Sequence, residues 1–333
     1  MNCDDTMKDA IALKGNGKGD NISEEQFQQI KELYKKIKPL REALAEKEKV
    51  CTQIDSIGDF CDYETCRRYL VARQWSMKGA EKQLISTLNW RIQNSDPGEL
   101  LSMEFWQSPK AYENPHALNL RCIGLDKREC PVMYTCYGEA HDRFDTKKVL
   151  IHMTLLLESI MRLIKQRRSE GLNQTADSRK WIVLVDFDGY GLRDNNPRLG
   201  LALFKLLMDH YPEMLKTMYL INAPMLFSSV WSMAKPLLDE VVISKINFVK
   251  GKERIKQLFY ENMGDEITEW VLNEMEDNLI KRQEETTNGF KKYWIAPKDS
   301  NEHDPRGVKS YVDSKEYIKT PGDAFEEKKN SND

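Results

Sequence analysis

An α/β fold behind a separate, all-helical N-terminal lobe is predicted for this 333-residue chain, and three observations carry it. Residues 23–94 hold only helical patterns, with apolar side chains at three- and four-residue spacing behind serine and aspartate caps. Further on, WIVLVDF, MYLINAP and ISKINFV are short apolar runs of the kind that strands buried on both faces show. Helical segments stand between these runs. Strand, helix, strand, helix, strand implies a mostly parallel sheet with crossover helices.

Each element has its own signal. Residues 1–22, which include GNGKGD, are polar and lack periodicity, so a flexible tail is expected. Ser23 with Gln26 is a capping box opening EEQFQQIKELYKKI, where Phe27, Ile30, Leu33, Tyr34 and Ile37 keep helical spacing. Pro39 interrupts it, and a second charged stretch runs to about Val50. DYETCRRYLVARQW, with Asp62 as cap, and MKGAEKQLISTLNWRIQ, capped by Ser76 and ending before Pro97, are two more helices. Residues 118–137 read as a hairpin, LNLRCIGL and PVMYTCY around the turn DKRE. A long helix is expected from about Asp145 to Arg168, with Val149, Leu150, Met153, Leu156, Leu157, Ile160 and Ile164 on one side. Asn196 and Pro197 start the helix LGLALFKLLMDHY, which Pro212 limits. GKERIKQLFYENM and EITEWVLNEMEDNLI are amphipathic helices closing the domain, and beyond Gln283 the chain turns polar and irregular.

Composition narrows the function. The net charge of −3 argues against a dedicated nucleic-acid binder, which shows a strongly basic face. No apolar run reaches the roughly 18 residues of a spanning helix. No basic stretch followed by an apolar one marks a signal peptide, so a cytoplasmic protein is expected, one that meets a membrane peripherally if at all. The seven cysteines are scattered without a CxxC pair, and reduced, partly buried thiols are expected. Signatures of catalysis are missing: there is neither a GxSxG elbow nor an HExxH, and GNGKGD lacks P-loop spacing. VDFDG at 185–189 ends a strand with two carboxylates, a place where some folds hold a metal. The reading favoured is aspartates that cap the following loop. His210 beside Tyr211, at a helix end, suits a structural or helix-dipole role. No enzyme, metal or cofactor is expected.

The stretch LINAPMLFSSVWSMAKPLLDEVVISKINFV, residues 220–249, is the least ordinary. On a helix from Met225 to Leu238, Ser228, Ser232, Lys235 and Asp239 form one narrow polar stripe among Met, Leu, Phe, Val, Trp and Ala. The apolar arc is wider than one sheet face covers. Its flank must meet either a second protein layer or an apolar ligand or membrane.

HYPEMLKTMYLINAPMLFSSVWSMAKPLLDEVVISKINFVKG resembles the signature of CRAL-TRIO lipid-binding domains, the Sec-fourteen-like lipid-transfer proteins. DYETCRRYLVARQWSMKGAEKQLISTLNWR resembles that family's N-terminal helical lobe. GLDKRECPVM resembles its Gly-x-Asp-x-x-Gly-Arg-Pro-Val hairpin, with Glu129 and Cys130 in place of Gly-Arg. The resemblance covers roughly residues 55–260. It implies a helical lobe at 23–97, a lipid-binding domain at 98–282 whose sheet floors an apolar cavity, and a tail at 283–333. A mobile helix gates the cavity in the family. By position that gate is Phe227 to Leu238, with Phe227, Val230, Trp231, Met233, Ala234, Leu237 and Leu238 facing the chains.

The resemblance also implies head-group contacts. Positions that hold an inositol phosphate in the family read here Arg73, Glu213 and Lys245, and Asp126 and Pro131 in the hairpin also match. Gln74 stands for a family lysine and Val242 for a threonine. The hydroxyl positions used for phosphatidylcholine are Trp181 and Val183, and Met133 replaces a tyrosine. The expected partners are a phospholipid ligand, phosphatidylinositol first, and a transient membrane surface. No nucleic acid is expected, and the protein is expected to be monomeric. A lipid-regulated scaffold and a carrier of a tocopherol-, retinoid- or haem-like molecule are the alternatives.

Overall fold

The chain's structure, a computed structural model, describes residues 22–51, 60–96, 98–102, 105, 120–139, 144–169, 171–172, 175, 177–191, 194, 196–238 and 240–288. The expected tail at 1–22 therefore lies outside the described residues except for Ile22, as does the tail beyond residue 288. The chain divides into two compact units. One comprises residues 1–110, 174–176 and 205–214, and the other residues 111–173, 177–204 and 215–333.

Four helices dominate the first unit. α1 (Glu24–Lys36) opens on the expected capping box: Ser23 Oγ accepts from the Gln26 amide and Gln26 Oε1 from the Ser23 amide. α2 (Lys38–Cys51) follows after a break at Ile37 alone. Pro39 falls in its first turn, where the missing N–H is no loss. Asp62 Oδ1 accepts from Thr65 N at 2.7 Å to start α3 (Tyr63–Ala72). Ser76 Oγ takes the Gly79 amide to start α4 (Met77–Asn94). The periodic apolar faces meet in one core that includes Ile30, Leu33, Ile37, Tyr69, Leu70, Leu84 and Leu88. Cys61 and Cys66 are buried and free.

The second unit is built on five strands in the order β1-β2-β3-β4-β5. They are β1 (Arg121–Leu125), β2 (Pro131–Cys136), β3 (Trp181–Asp186), β4 (Leu215–Ile221) and β5 (Ile246–Val249). β1 and β2 are the expected antiparallel hairpin, and every later pair is parallel. α5 (Thr146–Ser169) links β2 to β3. α6 (Pro197–His210), capped by Asn196 through the Leu199 amide, links β3 to β4, and its end belongs to the first unit. α7 (Ser228–Ala234) and α8 (Glu240–Ser244) lie between β4 and β5. α9 (Lys252–Asn262) and α10 (Asp265–Asn288) close the unit.

Strand alternation sorts the sheet into two faces. Val132, Tyr134, Ile182, Leu184, Tyr219, Ile221 and Val249 pack with Ile255, Phe259, Ile267 and Val271 of α9 and α10 into one core. The opposite face carries Met133, Val183, Met218 and Ile246, which the register sets in one row across four strands. A second row, Thr135, Val185, Leu220 and Phe248, lies beside it.

Three expectations need correction. Residues 225–238 are not one helix: Met225–Phe227 and Lys235–Leu237 are 3₁₀ turns flanking the two-turn α7. Pro236 has no N–H to continue the α-helical ladder, and Pro224 blocks its start. The run ISKINFV is a strand only from Ile246, because Glu240–Ser244 is helical and the Lys245 amide closes on Val242 O. Finally, the chain beyond Gln283 is not irregular at once, since α10 continues to Asn288.

Candidate functional site

Arg73 and Glu213 belong to the first unit, and the helical lobe places both. Arg73 is the C-cap of α3, and the next two residues, Gln74 (φ 51) and Trp75 (φ 62), are left-handed. The Trp75 amide returns to Leu70 O at 2.7 Å and closes the helix end. Glu213 follows α6, whose last carbonyls have no partner within their own helix. Side chains of α3 and α4 supply the donors. Gln83 Nε2 reaches Met208 O (2.8 Å) and Asp209 O (3.2 Å), Thr87 Oγ1 reaches Asp209 O (3.0 Å), and Tyr69 Oη reaches His210 O (3.1 Å). Arg68, itself buried, donates to Pro212 O at 3.2 Å. His210 has the structural role expected of it, stacked on Trp90 with ring centroids 4.2 Å apart. So clamped, the turn holds Glu213 at φ 60, a conformation that costs a non-glycine residue about 1–2 kcal/mol.

The other head-group candidates belong to the second unit. Asp126 is committed to the hairpin turn. Its Oδ1 accepts from the amides of Arg128 and Cys130, both at 2.8 Å, and its Oδ2 from Lys216 Nζ at 2.9 Å. Pro131 begins β2 beside it. The two residues that break the family motif have partners of their own. Glu129, left-handed at φ 65 where the motif has glycine, pairs with Arg167 at 2.9 Å. Cys130 accepts from Lys216 Nζ at 3.0 Å and donates to Asp177 O at 3.1 Å, and burial pushes its thiol up to about 12. Sequence reasoning missed Lys216. It falls where the β3–β4 register shifts, between Leu215 and Thr217, and no pattern in the sequence marks that shift. Lys245 sits in the turn between α8 and β5, where its carbonyl accepts from the Met218 amide (2.8 Å) and Thr217 Oγ1 (3.1 Å).

The segment 225–238 also belongs to the second unit. Phe227 packs on Phe187 with ring centroids 4.5 Å apart, Trp231 meets Phe248 edge-on at 5.6 Å, and Leu238 is buried. Met225 is 88% exposed, Met233 49% and Phe248 51%. The polar stripe of Ser228, Ser232 and Lys235 faces solvent, whereas Asp239 lies outside the described residues, as do the side chains of Val230, Ala234 and Leu237. Trp181 and Met133 are each 1% exposed, so both are packed as core. At the end of β3, Asp186 accepts from the Asp188 amide and from Tyr134 Oη, both at 2.9 Å, and so caps the loop as expected. Among the described residues no acidic, histidine or cysteine group is arranged to hold a metal ion, and no helix is long and apolar enough to cross a membrane.

Comparison with known proteins agrees with this architecture. Residues 121–266 match the model of the CRAL/TRIO domain. The phosphatidylinositol transfer protein CSR1 of Eremothecium gossypii is 26% identical over 197 residues, 57% of this chain and 43% of that protein. A CRAL-TRIO domain-containing protein of Schizosaccharomyces pombe is 27% identical over 194 residues, 57% of this chain and 41% of its own length. The phosphatidylinositol/phosphatidylcholine transfer protein SFH4 of Arabidopsis thaliana is 27% identical over 210 residues, 59% of this chain and 33% of that protein. The chain thus spans less than half the length of each of these relatives. From the β1–β2 hairpin to the start of α10, the chain matches the CRAL/TRIO domain family.

Proposed function

We propose that this protein is a lipid carrier, not an enzyme: it holds one phospholipid, phosphatidylinositol, against the apolar face of its sheet and exchanges it at a membrane surface. The observation that carries the proposal is the segment 225–238. It turns Phe227, Trp231 and Leu238 inward and leaves Met225 and Met233 in water. A segment apolar on two sides is explained by acyl chains beneath it when closed and by a bilayer when open. Each methylene kept from water is worth about 0.8 kcal/mol, so acyl chains leave a bilayer only for a space equally dry. Pro224 and Pro236 bracket the segment and interrupt helix continuity where hinges are needed. A relative named for phosphatidylinositol transfer supports the choice of lipid.

Arg73, Glu213 and Lys245 are proposed as head-group contacts, each by its match to the family position in the sequence. Two cations suit a phosphodiester, and a carboxylate suits ring hydroxyls. Phosphatidylcholine is a poor ligand on this reading. Trp181 and Val183 stand where hydroxyls would be needed, Met133 stands for a tyrosine, and a buried phosphocholine without partners is costly. The test is transfer of labelled lipid between vesicles. Arg73→Ala and Lys245→Ala are each expected to weaken phosphatidylinositol transfer, and together to abolish it, with the unfolding midpoint unchanged. Normal transfer by the double variant removes the site. Recovery of stoichiometric phosphatidylcholine from the purified protein removes the selectivity.

A further inference from the structure

Parallel neighbours β3 and β4 end side by side, and the Phe187 amide extends their pairing by one bond to Ile221 O at 3.0 Å. The residue just past β3 therefore meets the segment just past β4. Phe187 stands there at the centre of an aromatic cluster. Its ring stacks on Tyr137 (6.0 Å, 8°), meets Tyr190 edge-on (5.3 Å) and carries Phe227 at 4.5 Å. Tyr137 and Tyr190 also contact each other at 5.1 Å. Gly138 makes this possible: a Cβ there would stand 2.2 Å from Asp188 O, so only glycine lets the turn after β2 lie flat on the turn after β3. Three of the rings lie on the turns that follow β2 and β3, and the fourth, Phe227, rides on the first turn of the segment 225–238.

We infer that Phe187 is a positioning residue, a latch whose contact with Phe227 sets how often this segment opens. The inference rests on the lid reading above for its use in lipid exchange, but the latch itself can be tested without lipid. Within this cluster only the Phe187–Phe227 pair breaks when the segment swings away, because Tyr137, Phe187 and Tyr190 belong to the turns after β2 and β3. Loss of one aromatic pair corresponds to about a fivefold change in an opening equilibrium.

The experiment uses the full chain with Phe187→Leu, Phe227→Leu and the double substitution. Leucine keeps the apolar volume and removes the ring contact. Hydrogen exchange of the amides of residues 228–234 reads the opening. Each single variant is expected to exchange about fivefold faster there, with other amides unchanged, and the double variant to match the singles, since all three remove one and the same contact. Singles indistinguishable from the parent, or effects that multiply in the double variant, overturn the latch. Transfer of a fluorescent phospholipid between phosphatidylinositol-containing vesicles is measured in parallel. Transfer that rises with amide exchange supports latch and lid together. Faster amide exchange with no change in transfer keeps the latch and removes the lid from the transfer step.

Discussion

Lys216→Met tests whether Asp126 serves the hairpin or a ligand. The Asp126 carboxylate is buried, its side chain only 1% exposed, and Lys216 Nζ lies 2.9 Å from it with its own side chain 16% exposed. At an effective dielectric near 20, a pair at this distance is worth about 6 kcal/mol gross. Removing one partner of a buried pair costs about 3–5 kcal/mol. Here the carboxylate keeps the Arg128 and Cys130 amides. The expected loss is therefore smaller, about 2–3 kcal/mol. Asp126→Asn keeps the acceptor for both amides and removes the stranded charge, so the double variant is expected to recover at least about 1 kcal/mol relative to Lys216→Met. Urea unfolding of the four proteins yields the coupling. Burial pulls the Lys216 ammonium down, and hydrogen bonds with Cys130 and Asp126 outweigh it, so the net shift is upward. A raised lysine contributes fully below its unfolded value, near about 10.4, and loses the contribution as pH climbs through the folded value, so the cycle is run at pH 7. A loss under about 0.5 kcal/mol with no coupling would refute the reasoning, because a pair worth so little behaves as an exposed one. If the carboxylate serves the turn, Asp126→Asn binds phosphatidylinositol as well as the parent at a temperature where both are folded.

Three further outcomes follow from buried groups. Burial draws the His152 imidazole below its ordinary value, against an opposing hydrogen bond with Leu120 O at 3.1 Å. The unfolded chain then takes up a proton first as pH falls below about 6.5, and stability drops by up to about 1.4 kcal/mol per pH unit in a titrated urea series. His152→Gln, which keeps a donor for Leu120 O, is expected to flatten that limb. Cys130, pushed up to about 12 by burial despite the Lys216 hydrogen bond, is expected to escape alkylation at pH 8 until the protein is unfolded, as mass spectrometry of the labelled peptide would show. Because the unfolded thiol ionises first, near about 8.5, stability should also decline above that pH, and Cys130→Ala should remove this part of the decline. Thr87→Val leaves Asp209 O with Gln83 alone, and a loss of about 1–2 kcal/mol in thermal or urea unfolding is expected.

The local chemistry of the fold was legible because caps and apolar periods act over a few residues. Ser23, Asp62, Ser76 and Asn196 each cap the helix their spacing announces. β3, buried almost throughout, is read from six consecutive residues. What depended on distant partners was not legible. The end of α6 joins the helical lobe because Tyr69, Gln83 and Thr87 satisfy its carbonyls, and those residues lie more than 120 positions away in the chain. The run ISKINFV looked like strand from Ile243 onward. Its first two residues, Ile243 and Ser244, instead end a helical turn, because the propensity of a β-branched residue yields to context. Candidate site residues were found by their match to a family, and their geometry had no counterpart in the sequence: nothing in YPE announces a left-handed Glu213.

The hairpin turn shows how a departure from a motif can be absorbed. Glycine suits the left-handed position that Glu129 occupies, and glutamate there carries about 1–2 kcal/mol of strain. Its pair with Arg167 returns at most about 1 kcal/mol, since the glutamate side chain is 41% exposed. The next position explains more. An arginine there would bring a second cation to the place where Cys130 Sγ lies 3.0 Å from Lys216 Nζ. A small thiol instead accepts the lysine's hydrogen bond and leaves that lysine to neutralise Asp126. In this chain the charge balance of the turn comes from β4, through Lys216, and not from the hairpin itself. Glu129 and Cys130 are therefore read with Arg167 and Lys216 as one substituted set, and the motif's mismatch at two positions leaves its backbone turn and its buried aspartate in place.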